Sequence, residues 1–397
     1  MTSVRRHVVP MVGRDHTEEH RAATPLELLF DLSFVVAISV AADGLHHEIA
    51  AAHLHDGLVG YLATFFAIWW AWMNFTWFAS AFDTDDVPYR LLVFVQIIGV
   101  LIVAVGIADA FDGEYGLVTL GYVVMRLAMV GLWARASRAS GERGDAALRY
   151  AIGIAVVQVF WVARLALPSQ WGMASFAVLV VVELAIPAIA ESDARATGWH
   201  PRHIAERYEL FTIIVIGESI LAATGAIRRA LDGGVSAELL TIAGGGLVLV
   251  FGLWWLYFER GAHEPLEGVR RGAFAWGYGH YVLFASLAAV GAGIGVAAEL
   301  PGPDLKISPV SQAMAVAIPA ALSLISMALL QGFLHREPAA RTIRLVIGGV
   351  MIVVVAAVAE VPLGTDVALM GLVMAIVVAI DVVTSDRRIA AAGPQPA

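Results

Sequence analysis

The feature that most constrains the fold of this chain is a series of about twelve apolar runs. A helix that crosses the hydrocarbon core of a bilayer needs about 20 mostly apolar residues. Runs of this kind lie near residues 26–45, 57–79, 88–109, 115–135, 149–167, 172–190, 209–226, 236–258, 272–298, 308–332, 342–361 and 364–385. They are too long and too apolar for the strands of a membrane barrel. The sequence therefore predicts an all-α polytopic membrane protein with about twelve transmembrane helices.

The composition agrees with this class and argues against others. Of the 397 residues, 59% are hydrophobic and 15% are charged, whereas a soluble domain has roughly 45–50% and 25%. The chain has no cysteine, which excludes disulfides, thiolate metal sites and cysteine nucleophiles. The net charge of −9 argues against a nucleic-acid partner. The expected partners are the lipid bilayer and a cation or small-molecule solute.

The basic residues predict the orientation of the helices. With twelve helices, most of the 25 basic residues fall on the side that carries both termini. The positive-inside rule then places both termini in the cytoplasm. The first apolar run follows a charged stretch without a small-residue cleavage site, so we expect it to remain as a helix.

The two halves of the chain show corresponding residues in the same order. Glu27 corresponds to Glu209, Trp69-Trp70 to Trp254-Trp255, Arg90 to Arg271, Arg149 to Arg344, and Glu183 to Asp381. This order predicts two parallel six-helix repeats related by an axis along the membrane normal, with a site between them. The predicted organisation is a cytoplasmic tail (1–25), a first repeat (26–190), a cytoplasmic linker (191–208), a second repeat (209–385) and a cytoplasmic tail (386–397).

Several segments resemble the bacterial low temperature requirement protein A family. They are PLELLFDLSFVVAI at 25–38, WWAW at 69–72, FDTDD at 82–86, AERYELFTIIVIGESI at 205–220, WWLYF at 254–258, and Tyr278 with His280. Glu209 stands where this family usually has glycine, and Glu259 where it usually has aspartate. The resemblance implies a multi-pass protein of the bacterial plasma membrane, but it assigns no biochemical activity.

A second resemblance concerns the start of the first helix. Phe30-Asp31 is similar to the Phe-Ser-Asp signature of a family of lysosomal and bacterial potassium channels. Those channels are built from six-helix units and line their pore with first helices. The resemblance implies that the first helix lines a pathway.

Ionisable residues inside spanning helices cost about 2.5–3.5 kcal/mol each, so each needs a partner or a water-lined face. Glu27 and Asp31 lie one helical turn apart and share a face. They predict either an acidic mouth for cations or protons, or, for Glu27, a helix cap or a pair with an arginine such as Arg271.

Ionisable residues deeper in the predicted helices also have a functional and a structural interpretation. Glu218 lies between Gly217 and Ser219, small residues that permit close helix packing, and either faces a pathway or pairs with Arg126. Glu183 and Asp381 either form one site or each support their own half. His280 is either a proton relay or a hydrogen-bonded packing residue.

Three further clusters have both a functional and a structural interpretation. Trp69, Trp70, Trp72 and Trp77 predict an aromatic anchor belt at the membrane interface, with a stacking pocket for an aromatic or lipid ligand as the functional alternative. The acids Asp83, Asp85 and Asp86 suit a hard cation, or form a solvated turn in which Asp86 caps the next helix. The histidines His46, His47, His53 and His55 suit zinc or a similar metal, or belong to a polar loop.

These features predict a channel or transporter for a cation or small solute, with a pathway between the two repeats. One alternative is an intramembrane enzyme that acts on a lipid or isoprenoid through Asp31, Glu218 and His280. Another is a non-catalytic membrane or stress-adaptation protein. No nucleotide-binding loop, His-Glu-x-x-His motif or nucleophile elbow occurs in the sequence, which favours transport over catalysis.

Overall fold

A computed structural model describes most of the chain. The described residues are 8–15, 18, 21–139, 141, 144–192, 197–232, 236–259, 270–299, 305–335, 339–358 and 360–392. Within them the regular elements are twelve α-helices and one short 3₁₀-helix, Ser169–Trp171. The all-α fold and the number of helices predicted from the apolar runs are therefore confirmed.

The helices are numbered in chain order. They are α1 (Pro25–Ala50), α2 (Leu54–Ala81), α3 (Val87–Phe111), α4 (Gly116–Ala139), α5 (Gly144–Arg164), α6 (Gly172–Ala190), α7 (Pro201–Asp232), α8 (Ala237–Phe258), α9 (Arg270–Ala297), α10 (Pro309–His335), α11 (Ala339–Val358) and α12 (Leu363–Ala392). Among the described residues, eleven helical segments are long and apolar enough to cross a membrane, and α7 is not among them. The spanning role of residues 209–226 stays a prediction.

Helix α7 begins earlier than its apolar run. Its first residue is Pro201, so residues 201–208 of the predicted linker are helical. Proline suits the first turn of a helix because the N–H that it lacks has no partner there in any case. This extension places His203 and Arg207 one turn apart on a helix.

The chain forms two compact units. One consists of residues 1–41 and 62–208, and the other of residues 42–61 and 209–397. In the first unit α3 packs along α4, α4 along α5, and α5 along α6. Small residues permit the closest of these approaches: a Cβ on Gly121 would lie 2.6 Å from the carbonyl oxygen of Gly99.

The second unit has its own set of neighbouring helices. Helix α9 packs along α10, α10 along α11, α11 along α12, and α8 along α12. A Cβ on Gly245 of α8 would lie 2.5 Å from the carbonyl oxygen of Val367 in α12. The backbones of these helices therefore approach each other where a larger residue would not fit.

The tryptophans of α2 are inside the first unit. Trp69, Trp70 and Trp72 are each at most 2% exposed. Only Trp77 of this group is partly exposed, and its Nε1 donates to the hydroxyl of Tyr208 at 3.2 Å. The predicted anchor belt is therefore wrong for the three buried indoles, whose polar N–H groups are available to the interior.

Candidate functional site

A group of buried charged side chains lies around the start of α1, and we call it the α1 charge network. Its members are Arg21 of the segment before α1, Glu27 and Asp31 of α1, Asp83 of the α2–α3 loop, and His203 and Arg207 of α7. The six side chains are between 0% and 6% exposed. All belong to the first compact unit.

Asp31 is held by Arg207 in a two-point ion pair. The Nε and Nη2 atoms of Arg207 donate to the two carboxylate oxygens of Asp31 at 2.8 and 2.5 Å. The indole N–H of Trp72 donates to the same carboxylate at 2.7 Å. Asp31 thus accepts three hydrogen bonds, two of them from a cationic guanidinium group.

Glu27 combines a helix-capping role with an incomplete set of charged contacts. Its Oε2 accepts from the Thr24 N–H at 2.7 Å, and its own N–H donates to the Thr24 hydroxyl at 3.2 Å, which forms a capping box. Its Oε1 lies 3.0 Å from Arg207 Nη1 and 3.1 Å from His203 Nε2. None of these three atoms is in hydrogen-bonding geometry.

The partner of Glu27 is arginine, the residue type that the sequence predicts. Arg207 and, at 3.7 Å, Arg21 take that place. The side chain of Arg271, the partner considered from the sequence, lies outside the described residues.

Asp83 is the least strongly paired carboxylate of the network. Its nearest carboxylate–guanidinium distances are 3.4 Å to Arg14 and 3.9 Å to Arg21. Arg21 donates instead to the carbonyl oxygens of Ala79 and Ser80 at the end of α2, and Arg14 pairs with Glu18 at 2.8 Å. Burial and then the charge of Glu27 raise the pKa of Asp83 above its usual range.

The described members of the α1 charge network do not balance in charge. Three carboxylates face two guanidinium groups. Burial lowers the pKa of His203 to about 4, so its imidazole is neutral at pH 7. One negative charge is therefore left over when all three acids are ionised, and the raised pKa of Asp83 favours uptake of a proton there.

The three acids of the α2–α3 loop have separate partners. Asp85 accepts from Nε and Nη2 of Arg90, both at 2.7 Å, at the surface. Asp86 caps α3 by accepting from the Tyr89 N–H at 3.0 Å, and pairs with Arg135 at 2.6 Å. The predicted cap is confirmed, whereas Asp83, Asp85 and Asp86 do not come together on one cation site.

Glu183 is the centre of a second buried cluster in the first unit. It is 0% exposed and accepts hydrogen bonds from five side chains. These donors are Arg126 Nη2 at 2.7 Å, Tyr122 Oη at 2.8 Å, Trp70 Nε1 at 2.9 Å, Gln158 Nε2 at 3.1 Å and Trp161 Nε1 at 3.2 Å. Arg126 thus pairs with Glu183 of its own unit.

Asp381 is a buried acid of the second unit. Its carboxylate pairs with Arg341 at 2.9 Å and with Arg344 at 2.6 Å. Arg341 also donates to the side-chain oxygen of Gln331. Glu183 and Asp381 are thus each bound by arginine of their own unit. This favours the interpretation in which each acid supports its own half.

Glu218 and His280 lie in the second unit. Glu218 is 4% exposed, and its neighbour Ser219 donates to the Leu287 carbonyl oxygen at 2.8 Å. A Cβ on Gly291 would lie 2.6 Å from the Ser219 Cα, so the close approach predicted here occurs at Ser219. His280 lies 2.8 Å from the Trp276 carbonyl oxygen and 3.3 Å from the Tyr257 hydroxyl, as expected of a hydrogen-bonded packing residue.

The four histidines around the junction of α1 and α2 separate into two groups. His53 lies 3.3 Å from Glu48, and His55 lies 3.0 Å from Asp56. His46 and His47 instead lie on the last turns of α1 beside Asp43. The structure brings together the first two histidines and adds an acid that the sequence analysis did not select.

Several site residues were missed from the sequence. They are His203, Arg207, Arg341, Trp70, Trp72 and Asp43. A signal existed for two of them, because His203 and Arg207 have the same four-residue spacing as Glu27 and Asp31. The polar character of residues 201–208 favours a linker and so hides this spacing.

The helices and their buried ion pairs define a multi-pass α-helical membrane protein. More specifically, the chain belongs to the bacterial low temperature requirement A protein (LtrA) family, whose model matches residues 22–383. An uncharacterized protein of Rhizobium meliloti (strain 1021) is 26% identical over 268 residues. The matched region covers 64% of this chain and 62% of that relative.

Proposed function

We propose that this LtrA-family protein is a channel or transporter for a cation or small solute, and that the α1 charge network takes up the cation or proton. The observation that carries the proposal is the unbalanced negative charge of the network. A buried charge without a partner is costly, so binding of one cation or proton stabilises this state. Oε1 of Glu27 lies 3.0 Å from Arg207 Nη1 and 3.1 Å from His203 Nε2 without hydrogen-bonding geometry, so it retains acceptor capacity for a cation or proton.

Two other buried acids, Glu183 and Asp381, are less suited to bind a cation or proton. Glu183 accepts from Arg126 and four neutral donors, and Asp381 is shared by Arg341 and Arg344. Their negative charges are already compensated, as in structural ion pairs. The proposal therefore rests on the network at α1 and α7 and does not require a chain of free acids.

Catalysis is less well supported than transport. An acid–base catalyst needs a titratable atom within hydrogen-bonding reach of a substrate. The carboxylate of Asp31 is occupied by Arg207 and Trp72, and both ring nitrogens of His280 face protein oxygens. Neither residue is exposed by more than 1%.

Flux measurements in proteoliposomes test the proposal. Purified protein is reconstituted, and potassium, sodium and proton gradients are imposed in turn, with protein-free liposomes as the baseline. We expect flux of at least one of these ions through the wild type and loss of most of it in Asp31→Asn. Asp85→Asn, which alters an exposed pair outside the network, is the matched control and should retain the flux.

Loss of folding is distinguished from loss of function by a second variant. Asp83→Asn removes the weakly paired carboxylate and leaves the Asp31–Arg207 pair intact. If all variants elute as monodisperse protein and Asp83→Asn also changes the flux, the network is implicated. Absence of wild-type flux for every gradient, or equal flux in wild type and both network variants, would overturn the proposal.

A further inference from the structure

We propose that Asp43, His46 and His47 bind a divalent transition-metal ion such as Zn²⁺, with Glu299 orienting the His46 ring. These three ligand residues, the metal triad, are distinct from the α1 charge network. Each offers one ligand atom, and the three atoms lie within 4.8 Å of one another. The triad and Glu299 belong to the second compact unit.

The spacing of the metal triad follows from the helix that carries it. Residues at positions i, i+3 and i+4 lie on one face of an α-helix. Asp43 Oδ1 lies 3.9 Å from His46 Nδ1, and Asp43 Oδ2 lies 3.5 Å from His47 Nδ1. Zinc bonds to nitrogen and oxygen are about 2.0–2.2 Å long, so small side-chain rotations close the triad around one ion.

Glu299 supplies the second, independent observation. Its Oε2 lies 2.6 Å from His46 Nε2, so one ring nitrogen meets a carboxylate and the other faces Asp43. Histidines that bind a metal usually donate their second N–H to a carboxylate or carbonyl, which fixes the ring orientation. The His46 side chain is only 7% exposed, so its ring is held in this orientation.

The donor set selects the class of metal. Two imidazoles and one carboxylate suit zinc and its neighbours in the first transition row better than calcium or magnesium. Three protein ligands leave a coordination position for water or a solute. The side chains of Asp43 and His47 are 60% and 69% exposed, so an ion has direct access from solvent.

Metal binding to the purified full-length protein tests the inference. The protein is prepared with an affinity tag that contains no histidine, equilibrated with Zn²⁺ and analysed by titration calorimetry and elemental analysis. We expect about one zinc ion per chain, with at least tenfold weaker binding in His47→Ala and Asp43→Asn. Glu299→Gln should weaken binding by about 10- to 100-fold, as is usual for a group that orients a ligand.

The matched control is the double variant His53→Ala/His55→Ala. It removes two nearby histidines that pair with other acids and should bind zinc as the wild type does. His47 is largely exposed, so its removal leaves the packing of α1 unchanged. The inference is wrong if the wild type binds no zinc, or if His47→Ala binds zinc as tightly as the wild type does.

Discussion

At the scale of single residues, Glu183 illustrates how a carboxylate stays buried in this protein. Arg126 compensates its charge, while Tyr122, Trp70, Gln158 and Trp161 occupy its remaining acceptor positions. Such a pair adds little stability compared with apolar packing, but removal of one partner leaves an unpaired charge. The arginine should therefore matter more to folding than its single hydrogen bond suggests.

We predict that Arg126→Met destabilises the protein by about 3–5 kcal/mol, because Glu183 then loses its countercharge. Thermal and chemical unfolding in detergent measures this change. The double variant Arg126→Met/Glu183→Gln should recover part of the loss, since it removes the unpaired charge as well. Arg90→Gln, in an exposed pair with Asp85, should change stability little. Equal effects of Arg126→Met and Arg90→Gln would refute the argument.

Asp83 and Asp86 predict opposite dependences of stability on pH. The folded-state pKa of Asp83 is raised above the ordinary value of 3.8, chiefly by burial. Its contribution to stability is present below pH 3.8 and is lost as the pH rises through the folded pKa. Asp83→Asn should therefore match or exceed the wild type in melting temperature at pH 7, and the advantage should vanish in acid.

The pKa of Asp86 is shifted in the opposite direction, so its effect on the pH dependence of stability is also opposite. Burial alone would raise the pKa of Asp86, but hydrogen bonds from Arg135, Val9 and Tyr89 outweigh it and lower the pKa below 3.8. Its contribution is present above pH 3.8 and is lost as the pH falls through the folded pKa. Asp86→Asn should therefore be less stable than the wild type at pH 7, with a smaller difference in acid. Melting curves at several pH values show whether the stability differences of the Asp83→Asn and Asp86→Asn variants from the wild type change with pH in opposite directions.

At the scale of the helices, adjacent glycines of α8 provide a controlled test of helix packing. A Cβ at Gly245 would meet the backbone of Val367 in α12, whereas a Cβ at Gly244 would meet nothing within 4 Å. We expect Gly245→Ala to destabilise the protein by about 1–3 kcal/mol, and Gly244→Ala to be neutral or stabilising by up to about 1 kcal/mol. Unfolding measurements on the pair compare them directly, and equal effects would contradict the α8–α12 packing.

The helices themselves could be predicted from the sequence because apolar run length alone specifies a spanning helix. The start of α7 could not, because residues 201–208 are polar and their helical state depends on burial against α1. The burial of the α2 tryptophans could not be predicted either. Indoles at an interface and indoles that donate to buried carboxylates have the same local sequence pattern.

The acids of the candidate site could be predicted from the sequence, but their basic partners could not. Glu27 and Asp31 were recognised because a four-residue spacing places two acids on one helix face. Their partner Arg207 lies 176 residues from Asp31 in sequence, and no local pattern fixes such a pair. The sequence also indicates Glu183 and Asp381 but not their arginines, which come from α4 in one unit and α11 in the other.

At the scale of the whole molecule, the predicted orientation is open to a direct test because the chain has no cysteine. Glu114 in the α3–α4 loop and Ser192 after α6 are exposed positions at which a single cysteine can be introduced. With both termini in the cytoplasm, an impermeant maleimide should label Glu114→Cys in intact cells and Ser192→Cys only after lysis. The reverse pattern would contradict the orientation predicted from the arginines.

The central claim is that transport depends on a protonatable, negatively charged network at α1 and α7. The most direct measurement is the rate of ion flux in proteoliposomes as a function of pH, for wild type and Asp83→Asn side by side. The account predicts a wild-type rate that changes with pH and a flatter profile in Asp83→Asn, because the variant lacks the carboxyl that takes up the proton. A wild-type rate independent of pH, or identical profiles for the two proteins, would contradict it.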